Sequence, residues 1–157
     1  MPRSADTPYL HATAAVIGEA GVLILGPSGS GKSTLAFNLI ACAEQAGYFA
    51  RLVGDDRVSL DLRGSRLIAT GHPAIRGKLE RRGLGILEMP FVTSCVLRLV
   101  LRLSNPDEMP PRYPSPDEKT ILLEGARLPL LPVCWSFASA SCALALLAEL
   151  RLQRLIP

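Results

Sequence analysis

Aromatic residues make up only 5% of this 157-residue chain and charged residues 20%, against 48% hydrophobic. Such a composition excludes a disordered or fibrous chain and fits one soluble domain spanning residues 1–157 with a single well-buried core. Charge of one sign is also lacking. The net charge of +3 permits an acidic or phosphorylated partner but does not call for nucleic acid. No stretch approaches the roughly 18 consecutive apolar residues that would cross a bilayer, so membrane insertion is not expected. The opening "MPRSADTPYLHATAAVIGEAG" lacks the basic head and apolar core of a secretory leader, which points to the cytoplasm. Cys42, Cys95, Cys134 and Cys142 are far apart and form no CxxC pair. They read as buried thiols of a reducing compartment, with no disulfide or metal role. Histidine is limited to His11 and His72, and a lone histidine is more often structural than catalytic. Internal repeats and low-complexity segments are absent.

What is present is an alternation of β-prone and helical runs. "HATAAVI" and "GVLIL", separated by "GEA", predict a hairpin. In "STLAFNLIACAEQAG", Leu35, Leu39 and Cys42 recur at helical spacing and Gly47 is the expected stop. "ARLVG" predicts a buried strand, and "RVSLDL" with "RLIAT" a second hairpin turning at "RGS". "SNPDEMPPRYPSPDE", with five prolines in fifteen residues, must be a loop. "KTILLEGARLPLLPV" is expected to supply one further strand and a hydrophobic connection. The tract "ASASCALALLAELRLQRLI", with Glu149, Arg151 and Arg154 at helix-like spacing, then forms a docked terminal helix. Strand, glycine loop, helix, strand is an α/β signal, and the hairpins make the sheet mixed.

"GPSGSGKST" carries the chemistry. Gly26, Gly31, Lys32 and Ser33 fit GxxxxGK[ST] without a mismatch, after an apolar strand and before a helix. Gly26, Pro27, Ser28, Gly29, Ser30, Gly31, Lys32, Ser33 and Thr34 would wrap a phosphate chain with inward N–H groups and a helix N-terminus. Lys32 would reach the β- and γ-phosphates of a nucleotide or a similar phosphate chain, and the Ser33 hydroxyl would ligate Mg²⁺. Asp55 and Asp56 follow at the end of a strand, where neighbouring side chains point to opposite faces. In a phosphotransferase one would orient the metal or its waters, and the other would accept a proton from the attacking hydroxyl. "DLRG", residues 61–64, formally matches the DxxG of GTPases, but it lies between two β-prone runs and no NKxD guanine reader exists. In "KLERRGLGILE", Glu80 precedes Arg81, Arg82, Gly83, Leu84 and Gly85. The glycines suit close backbone approach, and the arginines suit phosphate or carboxylate recognition.

Taken together, "YLHATAAVIG", "GPSGSGKS", "LVGDD" and Glu-x-Arg-Gly-Leu-Gly at Glu80, Arg82, Gly83, Leu84 and Gly85 resemble the catalytic domain of HPr kinase/phosphorylase. The resemblance covers residues from about 8 to 90. It implies a P-loop, mixed-sheet kinase domain that phosphorylates a serine of the phosphocarrier HPr, or of an HPr-like protein, in regulation of the phosphotransferase system. It places Lys32 on the transferred phosphate, Mg²⁺ on Ser33 and Glu80, and Asp56 as the base, with His11 as its helper and Asp55 as a supporting group. It assigns the loop at Arg82, Gly83, Leu84 and Gly85 to the family signature, and it implies a homohexamer.

Two departures qualify the resemblance. His11 stands almost at the start, as in the short form of the family without an N-terminal regulatory domain. The family's C-terminal Pro-Gly-Arg-Asn loop has no match here, since no arginine lies between Arg127 and Arg151. Kinase activity is therefore expected more firmly than the reverse phosphorolysis to pyrophosphate. The alternatives are a nucleotide-binding regulator that has lost transfer, favoured by the missing loop, and a P-loop kinase of a small molecule, for which "RGKLERR" would have to serve as the lid.

Overall fold

The computed structural model describes residues 8–105, 107–134 and 140–157. The expected mismatch to the arginine-bearing loop falls partly on residues 135–139, outside the described residues, as does Pro106 of the proline-rich loop. The first hairpin is formed by β1 (Thr13–Ile17) and β2 (Ala20–Leu25), which pair antiparallel with Ile17 opposite Ala20. The phosphate-loop sequence then leads into α1 (Lys32–Gln45), which stops at Gly47 with φ 86°, as the sequence predicts. β3 (Ala50–Gly54) returns beside β1, and β4 (Val58–Arg63) with β5 (Arg66–Gly71) forms the second predicted hairpin. β6 (Lys78–Arg81) and β7 (Gly85–Glu88) form a small separate hairpin that holds the signature stretch at its tip.

The central strand of the large sheet is β8 (Ser94–Leu103). Its start pairs with β5, and further along it runs parallel to both β2 and β10 (Ala126–Val133). With β9 (Thr120–Leu123) the sheet has eight strands, running β3-β1-β2-β8-β10-β9 with the β4–β5 hairpin attached through β5. The mixed sheet matches expectation, but the stretch after the proline-rich loop is corrected: it holds two strands rather than one strand and a connection. Pro129 and Pro132 are tolerated because Ala126–Pro129 pairs with β9 and Leu130–Val133 with β8. Each half has one paired neighbour, so a missing N–H can face the unpaired side.

Strand alternation divides the core between two faces. Ala15, Ile17, Val22 and Ile24 pack with Leu35, Leu39 and Ala43 of α1 and with Leu146, Leu147 and Leu150 of α2 (Ala140–Leu152). Ala14, Val16 and Leu23 face the other way, against Val58, Leu67, Ala69, Leu97 and Val100. The terminal helix docks on α1 as predicted, and Tyr48 Oη donates to the Pro157 carbonyl at 2.6 Å, tying down the chain end. Among the described residues no helix is long and apolar enough to cross a membrane.

Candidate active site

The phosphate loop lies where β2 hands over to α1. A Cβ at Gly26 would stand 2.6 Å from Ser30 Oγ and 3.0 Å from Leu103 Cβ, so only glycine lets the loop pass this close to the end of β8. Gly31 caps α1 in the left-handed region, with φ 94° and ψ 21°. No side chain caps the helix and its first turn holds no acid, so its N–H groups are left for an anion. Lys32 is buried, and its ammonium donates to the carbonyls of Gly26 and Pro27 at 2.9 and 3.0 Å, drawing the loop into a cradle. Burial pulls its pKa below the usual lysine value, and the charges of Asp56 and Asp55 push back. Ser30 Oγ is buried and has no hydrogen-bond partner among the described residues. An orphaned hydroxyl in a cradle that a Cβ would fill fits a phosphate group as its missing partner.

The two aspartates differ sharply. Asp55 is 6% exposed and accepts from Ser33 Oγ at 2.8 and 2.9 Å and from the buried Thr13 Oγ1 at 2.7 Å. The Glu80 backbone N–H lies 3.4 Å from its other oxygen, which ties the β6–β7 hairpin to the same carboxylate. Asp56 stands outside this network, with 65% of its side chain exposed and its Oδ1 3.1 Å from Nδ1 of His11. Strand alternation is not what separates the pair, since β3 ends at Gly54. The cause is the backbone of Asp56, whose φ of 69° turns the chain sharply. The chain then starts β4, where Leu10 and Val58 exchange backbone hydrogen bonds at 2.7 and 3.0 Å. That exchange carries the neighbouring His11 to Asp56.

The signature hairpin flanks the loop. Leu79 is fully buried in the helix-side core and anchors β6, while the Arg81 guanidinium lies 4.7 Å from the centre of the Phe37 ring on α1. Arg82 Nη2 comes within 3.7 Å of the position a Cβ on Gly29 would take, so this guanidinium sits over the phosphate loop. Leu84 and Ile86 are exposed on the hairpin, and Gly83 and Gly85 shape its tip in the left-handed region. Glu80 meets Asp55 through its backbone while the residue itself is exposed. His72 is structural, its Nδ1 accepting from Ala74 N and its ring 4.7 Å from Tyr9. Asp61 of "DLRG" pairs with Arg63 at 2.8 Å on β4. Of the four cysteines, expected to be buried, Cys42 is buried while Cys95, Cys134 and Cys142 are only partly so, and burial drives the pKa of Cys95 up to about 12.

A family model described as the HPr serine kinase C-terminal domain matches residues 3–99. This chain belongs to that family. It is 31% identical over 141 residues to the HPr kinase/phosphorylase of Brevibacillus brevis, covering 83% of this chain and 43% of that protein. To the HPr kinase/phosphorylase of Mycoplasma mycoides it is 37% identical over 79 residues, 50% of this chain and 23% of that one. The chain thus spans less than half the length of these curated relatives. A solved structure of the HPr(Ser) kinase/phosphatase from Coxiella burnetii superposes with a TM-score of 0.75 at 27% identity, covering 94% of this chain and 96% of the other. Of the residues in this site, sequence reasoning had named both aspartates, His11 and the loop. It missed Thr13, because a threonine in a β-prone run looks like any strand former.

Proposed function

We propose that this chain is an ATP-dependent protein-serine kinase acting on HPr or an HPr-like phosphocarrier, within regulation of the phosphotransferase system in the cytoplasm. The observation that carries the reading is the contrast between adjacent aspartates: Asp55 is engaged by the loop serine, and Asp56 is exposed beside a histidine.

The phosphate chain of ATP would lie on the N–H groups of residues 26–34, with the ammonium of Lys32 and the N-terminus of α1 drawing charge toward the transferred group. Mg²⁺, when bound, would neutralise charge on the phosphate oxygens from a position beside Ser33. Asp55, already on that hydroxyl, would orient the metal or its waters, and Glu80 on β6 would supply a second carboxylate. Asp56 accepts the proton of the incoming serine hydroxyl, and its exposure lets a protein substrate reach it. His11, donating from Nδ1, fixes the carboxylate's orientation. Arg82 adds a guanidinium over the loop, suited to phosphate oxygens. In-line transfer needs no more than this positioning and charge neutralisation. Assembly as a homohexamer is part of the proposal through the family. Within the chain most of the terminal helix's apolar face is already covered by α1, leaving Leu144 and Leu152 exposed.

The test is to mix the purified protein with Mg²⁺, labelled ATP and HPr from the same source, and to look for acid-stable, base-sensitive label on HPr. Label is expected, and it should vanish with Lys32→Ala. Its release as pyrophosphate on adding phosphate would add phosphorolysis to the activity. No label, with ATP still bound, would overturn the reading in favour of a nucleotide-binding regulator.

A further inference from the structure

At the other end of the sheet, a groove of about 500 Å³ opens between the β4–β5 turn at Gly64 and the β9–β10 turn at Gly125. The two turns touch, since a Cβ at Gly125 would stand 3.5 Å from Leu62 Cδ2. Three arginines from three strands line the groove: Arg66 of β5, Arg98 of β8 and Arg127 of β10. Among the described residues no aspartate or glutamate lines it. The β5–β8 ladder ends at Ile68 opposite Val96, so Arg66 and Arg98 lie just beyond it on the two strands, Arg98 where the β2–β8 register shifts. Like charges gathered in one groove repel one another. Neither side chain makes an ion pair or hydrogen bond among the described residues, and the Arg127 guanidinium donates only to the neutral Thr120 hydroxyl, at 3.3 Å. On the neighbouring strand Asp61 is engaged by Arg63 instead.

An uncompensated cluster of guanidiniums in a concave site breaks a local rule that the fold gives no reason to break. From this we infer that the groove binds a small polyanion carrying phosphate or carboxylate groups, gripped by Arg66, Arg98 and Arg127. Its size suits a small molecule, and guanidinium forks match both anions. The site is separate from the phosphate loop. Leu97, which lines the groove, pairs with Gly21 at the start of β2, whereas the loop begins after Leu25. Four residues of strand put the two on the order of 13 Å apart or more.

Citrate and tripolyphosphate are the probes for the two anion chemistries. Each is titrated calorimetrically, in metal-free buffer, into the full chain with ADP saturating the phosphate loop, and into the variants Lys32→Ala, Arg66→Gln and Arg98→Gln. Binding by either anion is expected, kept in Lys32→Ala and weakened by about tenfold or more in each arginine variant. Both arginine variants should melt close to the wild type alone yet lose the anion-induced rise in Tm, which a purely structural arginine would not produce. The inference fails if neither anion binds at millimolar concentration, if binding ignores Arg66 and Arg98, or if it disappears with Lys32→Ala alone. It fails also if only a poly-glutamate peptide binds, which would make the groove a docking site for an acidic protein segment.

Discussion

The two ends of the sheet treat charge in opposite ways. At the phosphate-loop end, Lys32, Asp55 and Asp56 each already have a defined polar neighbour. Lys32 holds two loop carbonyls, Asp55 gathers Ser33 and Thr13, and Asp56 meets His11. At the far end Arg66 and Arg98 line one groove, with no carboxylate among the described residues that line it. The first end is organised before any ligand arrives, so a bound phosphate chain meets fixed dipoles and little reorganisation is needed. The second carries charge that is satisfied only from outside. Substitutions should therefore cut transfer at the first end and leave the fold largely indifferent at the second.

The largest effect is expected from Lys32→Ala. Removing the positioned cation should lower transfer by about 10³-fold, about 4 kcal/mol of barrier, read in single-turnover assays with labelled ATP. Retention of near-normal transfer would mean that the loop does not grip the transferred group. Next comes Leu79→Ala beneath the signature hairpin. Leu79 is fully buried, so truncation should cost about 3 kcal/mol by denaturant unfolding and should loosen Arg81 and Arg82 over the loop. Unchanged stability would show that the hairpin is not anchored through this residue.

The phosphate loop and its helix were legible in the sequence because their constraints are local: glycines at fixed offsets, a lysine, a hydroxyl and a bare helix start. The hairpins were legible for the same reason, through turn residues at "GEA" and "RGS". β8 was not read as a strand, although Ser94–Leu103 is the centre of the sheet, because its importance lies in partners distant in sequence: β2, β5 and β10. β10 was masked by Pro129 and Pro132, whose tolerance depends on which side of each half-strand is paired. That Asp55 and Asp56 point to different surroundings was anticipated, but the reason was not. A left-handed φ at Asp56 and the Leu10–Val58 exchange set the split, and neither has a sequence signature.

A smaller effect should come from Thr13→Val, which keeps the shape of a fully buried side chain and removes one donor from Asp55. The loss should be about 1–3 kcal/mol. It should appear partly as weaker metal-dependent nucleotide binding, and Thr13→Ser should restore it. Failure of serine to rescue would assign Thr13 to packing alone. The smallest effect is at the far end. Arg98→Gln should alter unfolding free energy by no more than about 0.5 kcal/mol and leave transfer unchanged. A clear drop in transfer would join the two ends into one functional unit.

The most direct test compares Asp55→Asn with Asp56→Asn, measuring Mg²⁺-dependent nucleotide affinity and single-turnover transfer in each. Asp56→Asn is expected to bind nucleotide like the wild type and to lose transfer by about 10²- to 10⁴-fold. Asp55→Asn should lose the metal-dependent part of nucleotide affinity. Near-full transfer by Asp56→Asn, or a metal dependence lost there and kept in Asp55→Asn, would contradict the division of roles.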